Sequence, residues 1–199
     1  MNMRSTLCLA IMLVTGAWRV YALAADEVPS GTYSLDPSHS YVTFSYSHMG
    51  FSNPILQFKN FSGEISYDAN SLSNSSVSIT IDATSIDGGF KKFNDDLRAE
   101  DFFDTKNYPE IRFSSTSYEV TGKVTGRLTG NLEVKNVSQP VTLNVTFNRA
   151  AINPMMEAPV LGFSAEGNLS RTSFGLDKYT PMVGDTILVT IESEFAGSK

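Results

Sequence analysis

A chain of 199 residues is long enough for one domain with a substantial core. Its acidic balance, a formal net charge of −6, argues against nucleic acid and against anionic membrane surfaces as partners. With one cysteine, Cys8, the chain has no disulfide framework and no thiolate metal cluster.

Residues 1–24 read as a secretory signal peptide. Arg4 supplies a short positive region, Leu7 to Val14 an apolar stretch, and Ala22-Leu23-Ala24 small residues at the two positions before a cut that follows Ala24. The apolar stretch is far shorter than the roughly 20 residues that cross a bilayer, so no stable membrane insertion is expected. Cys8 lacks the small-residue surroundings of a lipoprotein signal. Removal of the leader takes Arg4, Arg19 and Cys8 with it. The 15 basic residues fall to 13 against 21 acidic ones, giving the domain of residues 25–199 a charge of −8 and no cysteine. An exported, cysteine-free chain is expected in the periplasm.

Period-two alternation then runs almost to the end, the signature of half-buried strands. Val42, Phe44, Tyr46 and His48 share one face; Phe61, Gly63, Ile65 and Tyr67 repeat the pattern, as do Val77, Ile79, Ile81 and Ala83. Asp68-Ala-Asn70 marks a turn between the last two rows, and Ser71 to Ser76 reads as a polar turn. The helical signal is confined to one segment, where Phe90, Phe93 and Leu97 stand three and four apart on one stripe. A second short turn carries Phe102 and Phe103, and Tyr108-Pro109 ends it, because the residue before proline avoids the α region. Alternation resumes at Val124, Gly126, Leu128, Gly130, Leu132 and Val134. A turn is expected over Asn136 to Gln139, and Val141, Leu143, Val145 and Phe147 follow. After Asn153-Pro154 come Leu161, Phe163, Ala165, Gly167 and Leu169, then Ile187, Val189, Ile191 and Phe195. The fold class is all-β: a closed antiparallel barrel of about eight strands with a short helical insertion. Closure removes the edges that long alternating strands would expose.

A barrel of that size either fills with side chains or holds one slender ligand. The small residues Gly63, Gly126, Gly130, Ala165 and Gly167 sit in register with large apolar ones. Glycine weakens a strand interior, so it serves here either close packing or space for a ligand. The apolar segment of residues 90–103 has two readings as well: a plug that completes the core, or a lid over the pocket.

The stretch Tyr33-Ser-Leu-Asp-Pro-Ser-His-Ser40, continued by Phe44 to Gly50, resembles the opening motif of the YceI family, periplasmic polyisoprenoid-binding proteins with a lipocalin-like barrel. Asp101-Phe-Phe103, Tyr108-Pro109 and Phe113-Ser-Ser-Thr116 resemble that family's helix and following strand. Leu128-Thr-Gly130 and Val137 to Val141 resemble its central hairpin; Arg171-Thr-Ser-Phe-Gly175 and Val183-Gly-Asp185 resemble its final segment. The likeness covers residues 31–195. It implies a tunnel for a long isoprenoid, such as a quinone or polyprenyl lipid, or a related amphiphile, held for carriage, storage or protection, and it favours a homodimer. The family usually has a histidine just before Leu-Arg in the helical segment; Asp96 stands there in this chain, which bears on the choice of head group.

The expected ligand-facing residues are Phe44, Tyr46, His48 and Phe61 in the early strands and Phe102 and Phe103 in the helical insertion. Phe113 and Phe163 join them from later strands, and Arg171 and Phe174 from the final segment. His48 would bond a ligand head or Arg171. Catalytic residues, cofactors and metal ligands are not expected. Nothing resembles a nucleophile elbow, and His39, His48 and Asp36 lack the tight spacing of a metal motif. The alternative function is a structural or interaction barrel that carries no ligand.

Overall fold

A computed structural model of the chain describes residues 28–198. The expected leader, residues 1–24, and its cleavage site lie outside the described residues. The strands are β1 (Gly31–Leu35), β2 (Tyr41–His48), β3 (Ile55–Phe58), β4 (Phe61–Tyr67), β5 (Ser76–Asp82), β6 (Ile86–Asp87), β7 (Glu110–Val120), β8 (Thr125–Val134), β9 (Val137–Asn153), β10 (Ala158–Ser170) and β11 (Val183–Ala196); the helix α1 spans Lys91–Arg98.

These form a closed antiparallel barrel of eight strands, because three of the eight are kinked and each kink divides a strand in two. β1 and β2 are one such strand. β11 pairs with both, through Phe44↔Val189 and through Leu35↔Phe195, and the second pairing closes the barrel. β3–β4 and β5–β6 are the other two: β4 lies between β1 and β5, while β3 lies between β2 and β6. Two of the three bends have a clear local cause. Pro37, which has no amide to donate, interrupts the first strand, and the freed groups are met by Ser40, whose hydroxyl donates to the Asp36 carbonyl at 2.7 Å and accepts from the Glu194 amide at 3.1 Å. At the third bend the Asp82 carboxylate accepts from the Thr84 amide at 2.9 Å and caps a short helical turn, Ala83–Ser85.

The alternation seen in the sequence is realised as an inner row on each strand, with two corrections. Val124 precedes β8 and is exposed rather than inward. The turn expected over Asn136 to Gln139 is the two-residue connection Lys135-Asn136, whose positive φ values of 50° and 61° suit the twist of a tight hairpin. Residues 137–139 are already strand, with Gln139 opposite Leu132.

α1 closes one end of the barrel. Leu97 is buried and Phe93 packs beside Gly88 and β3. Phe90 departs from the expected stripe: it precedes the first helical residue with an extended φ of −138° and is 65% exposed. Arg98 secures the helix, donating to the Thr84 carbonyl at 2.7 Å and the Ile86 carbonyl at 3.0 Å. The core has two parts. One, around Leu56, Phe58, Ile86, Leu97 and Phe174, lies at the α1 end. The other, around Val28, Tyr33, Leu161 and Phe195, lies at the opposite end. Ile79 touches both.

Candidate functional site

Between the two core clusters runs a cavity of about 430 Å³. It exists because the inner rows of all eight strands are apolar while the barrel is too wide for those side chains to meet everywhere at the axis. All ten expected residues line it. Phe44, Tyr46, His48, Phe102, Phe103, Arg171 and Phe174 do so at the α1 end; Phe61 and Phe113 stand along the wall, and Phe163 lies towards the far end. Residues that the sequence did not single out also line it, among them Tyr118, Leu176 and Tyr179.

The inward glycines serve close packing. A Cβ on Gly130 would fall within the ring of Phe113, and one on Gly126 within the ring of Tyr118. At Gly167 a Cβ would stand 2.8 Å from Leu143. Large side chains on neighbouring strands thus lie across the glycines. The alternative weighed from the sequence, that these glycines open space for a ligand, does not hold at these three positions.

Arg171 reaches the cavity wall, yet its five N–H groups are engaged elsewhere. Nε donates to the Gly184 carbonyl at 2.9 Å; Nη2 donates to the Thr180 hydroxyl at 2.7 Å and the Val183 carbonyl at 2.8 Å; Nη1 donates to the carbonyls of Leu176 and Lys178. This is a staple that shapes the 175–183 loop, and the bond to His48 considered from the sequence is not made. Among the described residues, neither the His48 ring nor the Tyr46 hydroxyl has a hydrogen-bond partner, so both remain available to a ligand. Burial pushes the Tyr46 hydroxyl above its ordinary pKa, with the Arg171 charge opposing. Tyr67, at the far end, is raised by burial and by the nearby Asp68. Both hydroxyls therefore stay protonated at ordinary pH and keep their capacity to donate.

Two loops meet over the α1 end. Residues 99–108 fold back on the helix through Phe103 N–H to Leu97 carbonyl and Thr105 N–H to Arg98 carbonyl, each 3.0 Å. The Phe102 ring leans on Tyr179 with centroids 6.2 Å apart, and the Lys178 ammonium sits 5.6 Å from the Phe102 ring while pairing with Asp101. Phe103 points deeper, against Phe58 at 5.7 Å and Phe44 at 6.5 Å. Asp96, at the position of the family histidine, pairs with Lys92 on the outer face of α1 at 3.1 Å.

Asp36, His39 and Glu194 bring ligand atoms within 4.8 Å of one another. The Asp36 carboxylate already accepts from His39 Nδ1 at 2.8 Å and from Ser38, contacts that lower its pKa and raise that of His39. The group ties down the first strand's bend, and His48 is not part of it.

Residues 33–195 match the YceI-like domain. A UPF0312 protein of Vibrio campbellii is 30% identical over 193 residues, which is 97% of this chain and 95% of the relative. The crystal structure of Burkholderia cenocepacia BcnA superposes with a TM-score of 0.73 at 26% identity, over 80% of this chain and 98% of that one. A polyisoprenoid binding domain from Saccharophagus degradans has the same fold, with a TM-score of 0.64 at 16% identity over 83% of this chain and 98% of its own.

Proposed function

The chain belongs to the YceI-like domain family, and from that premise we propose that its barrel binds a long isoprenoid, such as a quinone or polyprenyl lipid, or a related long-chain amphiphile. The observation that carries this reading is the continuous apolar cavity of about 430 Å³, a volume within the usual range for small-molecule sites, about 300–1,000 Å³. It favours binding over the alternative of a barrel filled by its own side chains. The neighbouring domain from Saccharophagus degradans, named for polyisoprenoid binding, uses the same barrel.

Each methylene that leaves water contributes roughly 0.8 kcal/mol, and ordering the chain takes part of that back. Affinity therefore follows length and girth, with loose specificity along the tail. Tyr46 and His48 supply unsatisfied polar groups for the head. The protein acts as a carrier, store or shield without catalysing a reaction, and works in the periplasm after export.

Native mass spectrometry and organic extraction of the purified protein test the reading. Recovery of a stoichiometric isoprenoid supports it. Repeated recovery of empty protein from a quinone-rich host, with no uptake of added polyprenyl lipid, overturns it.

A further inference from the structure

The α1 end of the barrel carries apolar side chains that the fold holds in water. The β2–β3 turn places Met49 and Gly50 in the left-handed region, at φ 54° and 75°, and sends Phe51 outward. Phe51 is 85% exposed, although its turn is fixed by backbone bonds from Phe51 to His48 at 3.0 Å and from His48 to Ser52 at 2.8 Å. The turn is tied in turn to the 175–183 loop, because the Met49 amide donates to the Met182 carbonyl at 3.1 Å. Met182 and Tyr179 on that loop are 63% and 54% exposed. Ile55 at the start of β3 and Phe90 ahead of α1 extend the same rim.

Several features give this rim a single occupant. Tyr179 both lines the cavity and stands exposed, so the cavity wall and the outer surface meet there. The opposite end also exposes apolar side chains, Met155 and Ile152 among them, but those do not line the cavity. Three lysines near the rim are engaged in pairs: Lys91 with Asp95 at 2.7 Å, Lys92 with Asp96 at 3.1 Å, and Lys178 with Asp101. Those lysines are thereby not free to attract anionic head groups, and the acidic balance of the chain disfavours them further. Phenylalanine, methionine and tyrosine projecting from loops, beside paired charges, suit the boundary between head groups and acyl chains, where an amphipathic ring has one end wet and one end dry.

We infer that this rim is a membrane-docking surface that inserts shallowly into a zwitterionic bilayer and sets the cavity against the acyl layer. The inference rests on the lipid-binding reading for its purpose. It accounts for how a cargo that is insoluble in water crosses from bilayer to barrel: the tail slides past Tyr179 and Phe102 without leaving an apolar environment.

The test is flotation of lipid-extracted, cargo-free protein with phosphatidylcholine vesicles, for the wild type and for the double variant F51S/M182S. Neither residue lines the cavity. The wild type should float with the vesicles, and raising the salt should change the bound fraction little, since apolar insertion is not screened. The double variant should bind at least roughly tenfold more weakly, since two side chains withdrawn even half-way from an apolar layer lose more than about 1.4 kcal/mol together, with an unchanged melting temperature. Wild type that stays with the soluble fraction, or a double variant that floats equally well, overturns the inference. So does a change from dimer to monomer in the double variant by sedimentation, which assigns the rim to a contact between copies. Because the assay contains no isoprenoid, its outcome is independent of whether cargo is found by extraction.

Discussion

Replacing Phe102 with alanine separates a lid from a plug. A fully buried Phe→Ala change costs about 3–5 kcal/mol. Phe102 is only half-buried, against Tyr179 and the Lys178 ammonium, so a cost near half of that, about 2 kcal/mol, is expected. For a domain of this size a loss of 1 kcal/mol lowers the melting temperature by about 2–4 °C, which puts the fall at about 4–8 °C and leaves a folded barrel. The effect on cargo is larger in proportion. The ring closes the cavity beside Tyr179, and some 50 Å² of lost contact with a bound tail, at about 25 cal/mol per Å², makes release roughly tenfold faster. The assay loads the protein with a fluorescent polyprenyl analogue, adds excess acceptor vesicles and follows the transfer, with thermal melting by circular dichroism in parallel. Phe103→Ala, by contrast, removes a ring packed on Phe58 and Phe44 and should cost more stability. Release from F102A at the wild-type rate, or an F102A barrel that does not fold, would refute the lid and leave the segment a plug.

Gly130→Ala sets a Cβ into the Phe113 ring and should cost about 1–3 kcal/mol, whereas Gly31→Ala, with open space around it, should leave the melting temperature nearly unchanged. Arg171→Met leaves the carbonyls of Leu176, Lys178, Val183 and Gly184 without their donor; a loss of more than about 3 kcal/mol is expected, with new protease cleavage within residues 175–183 as a second readout. Arg171→Lys should rescue little, because an ammonium cannot reproduce the planar fork. The Asp87 carboxyl is held far below the usual carboxylate range by Lys59 at 2.5 Å, by the Asn94 amide at 2.7 Å and by the Gly89 amide. A depressed acid contributes stability above its unfolded pKa, about 4, and loses it as the pH falls. The urea midpoints of wild type and Asp87→Asn should therefore differ at neutral pH and converge steadily below about pH 4; a gap that is constant across this range would show that the carboxylate's charge is irrelevant.

The long strands were legible because their inner rows are unbroken: Val141, Leu143 and Val145 leave only one face to bury. All ten residues expected to face a ligand line the cavity for the same reason, since an inward register in a barrel with a cavity is an address within it. What escaped the sequence depends on contacts between distant segments. β3 has four residues, Ile55–Phe58, too few for alternation to register, and β7 reads as polar through Ser114, Ser115, Thr116 and Ser117 because its wall is shared with glycine-flanked aromatics. The kinks were invisible because the halves of each strand look like separate strands. The staple that Arg171 makes escaped the sequence because its acceptors are mostly backbone carbonyls, which no side-chain pattern announces. Lys178 meets Asp101 across 77 positions of sequence. Phe90 fell outside the buried stripe because the helix begins one residue later, and helical spacing cannot say where a helix starts.

Because the ladders between the three kinked strands are interrupted at the bends, unzipping that starts at one end of the barrel runs into a discontinuity there. β2, β3 and β6 hold the α1 end and β1 holds the other, with β4 and β5 reaching from one cluster to the other, while β7 to β11 run past both. Each end also has its own core cluster, joined chiefly through Ile79. Amide exchange should accordingly resolve two cooperative units, with β2, β3 and β6 opening together at lower free energy than β1 and β4. The far collar can keep the strand register while the near one breathes, so a passing cargo need not put the whole fold at risk.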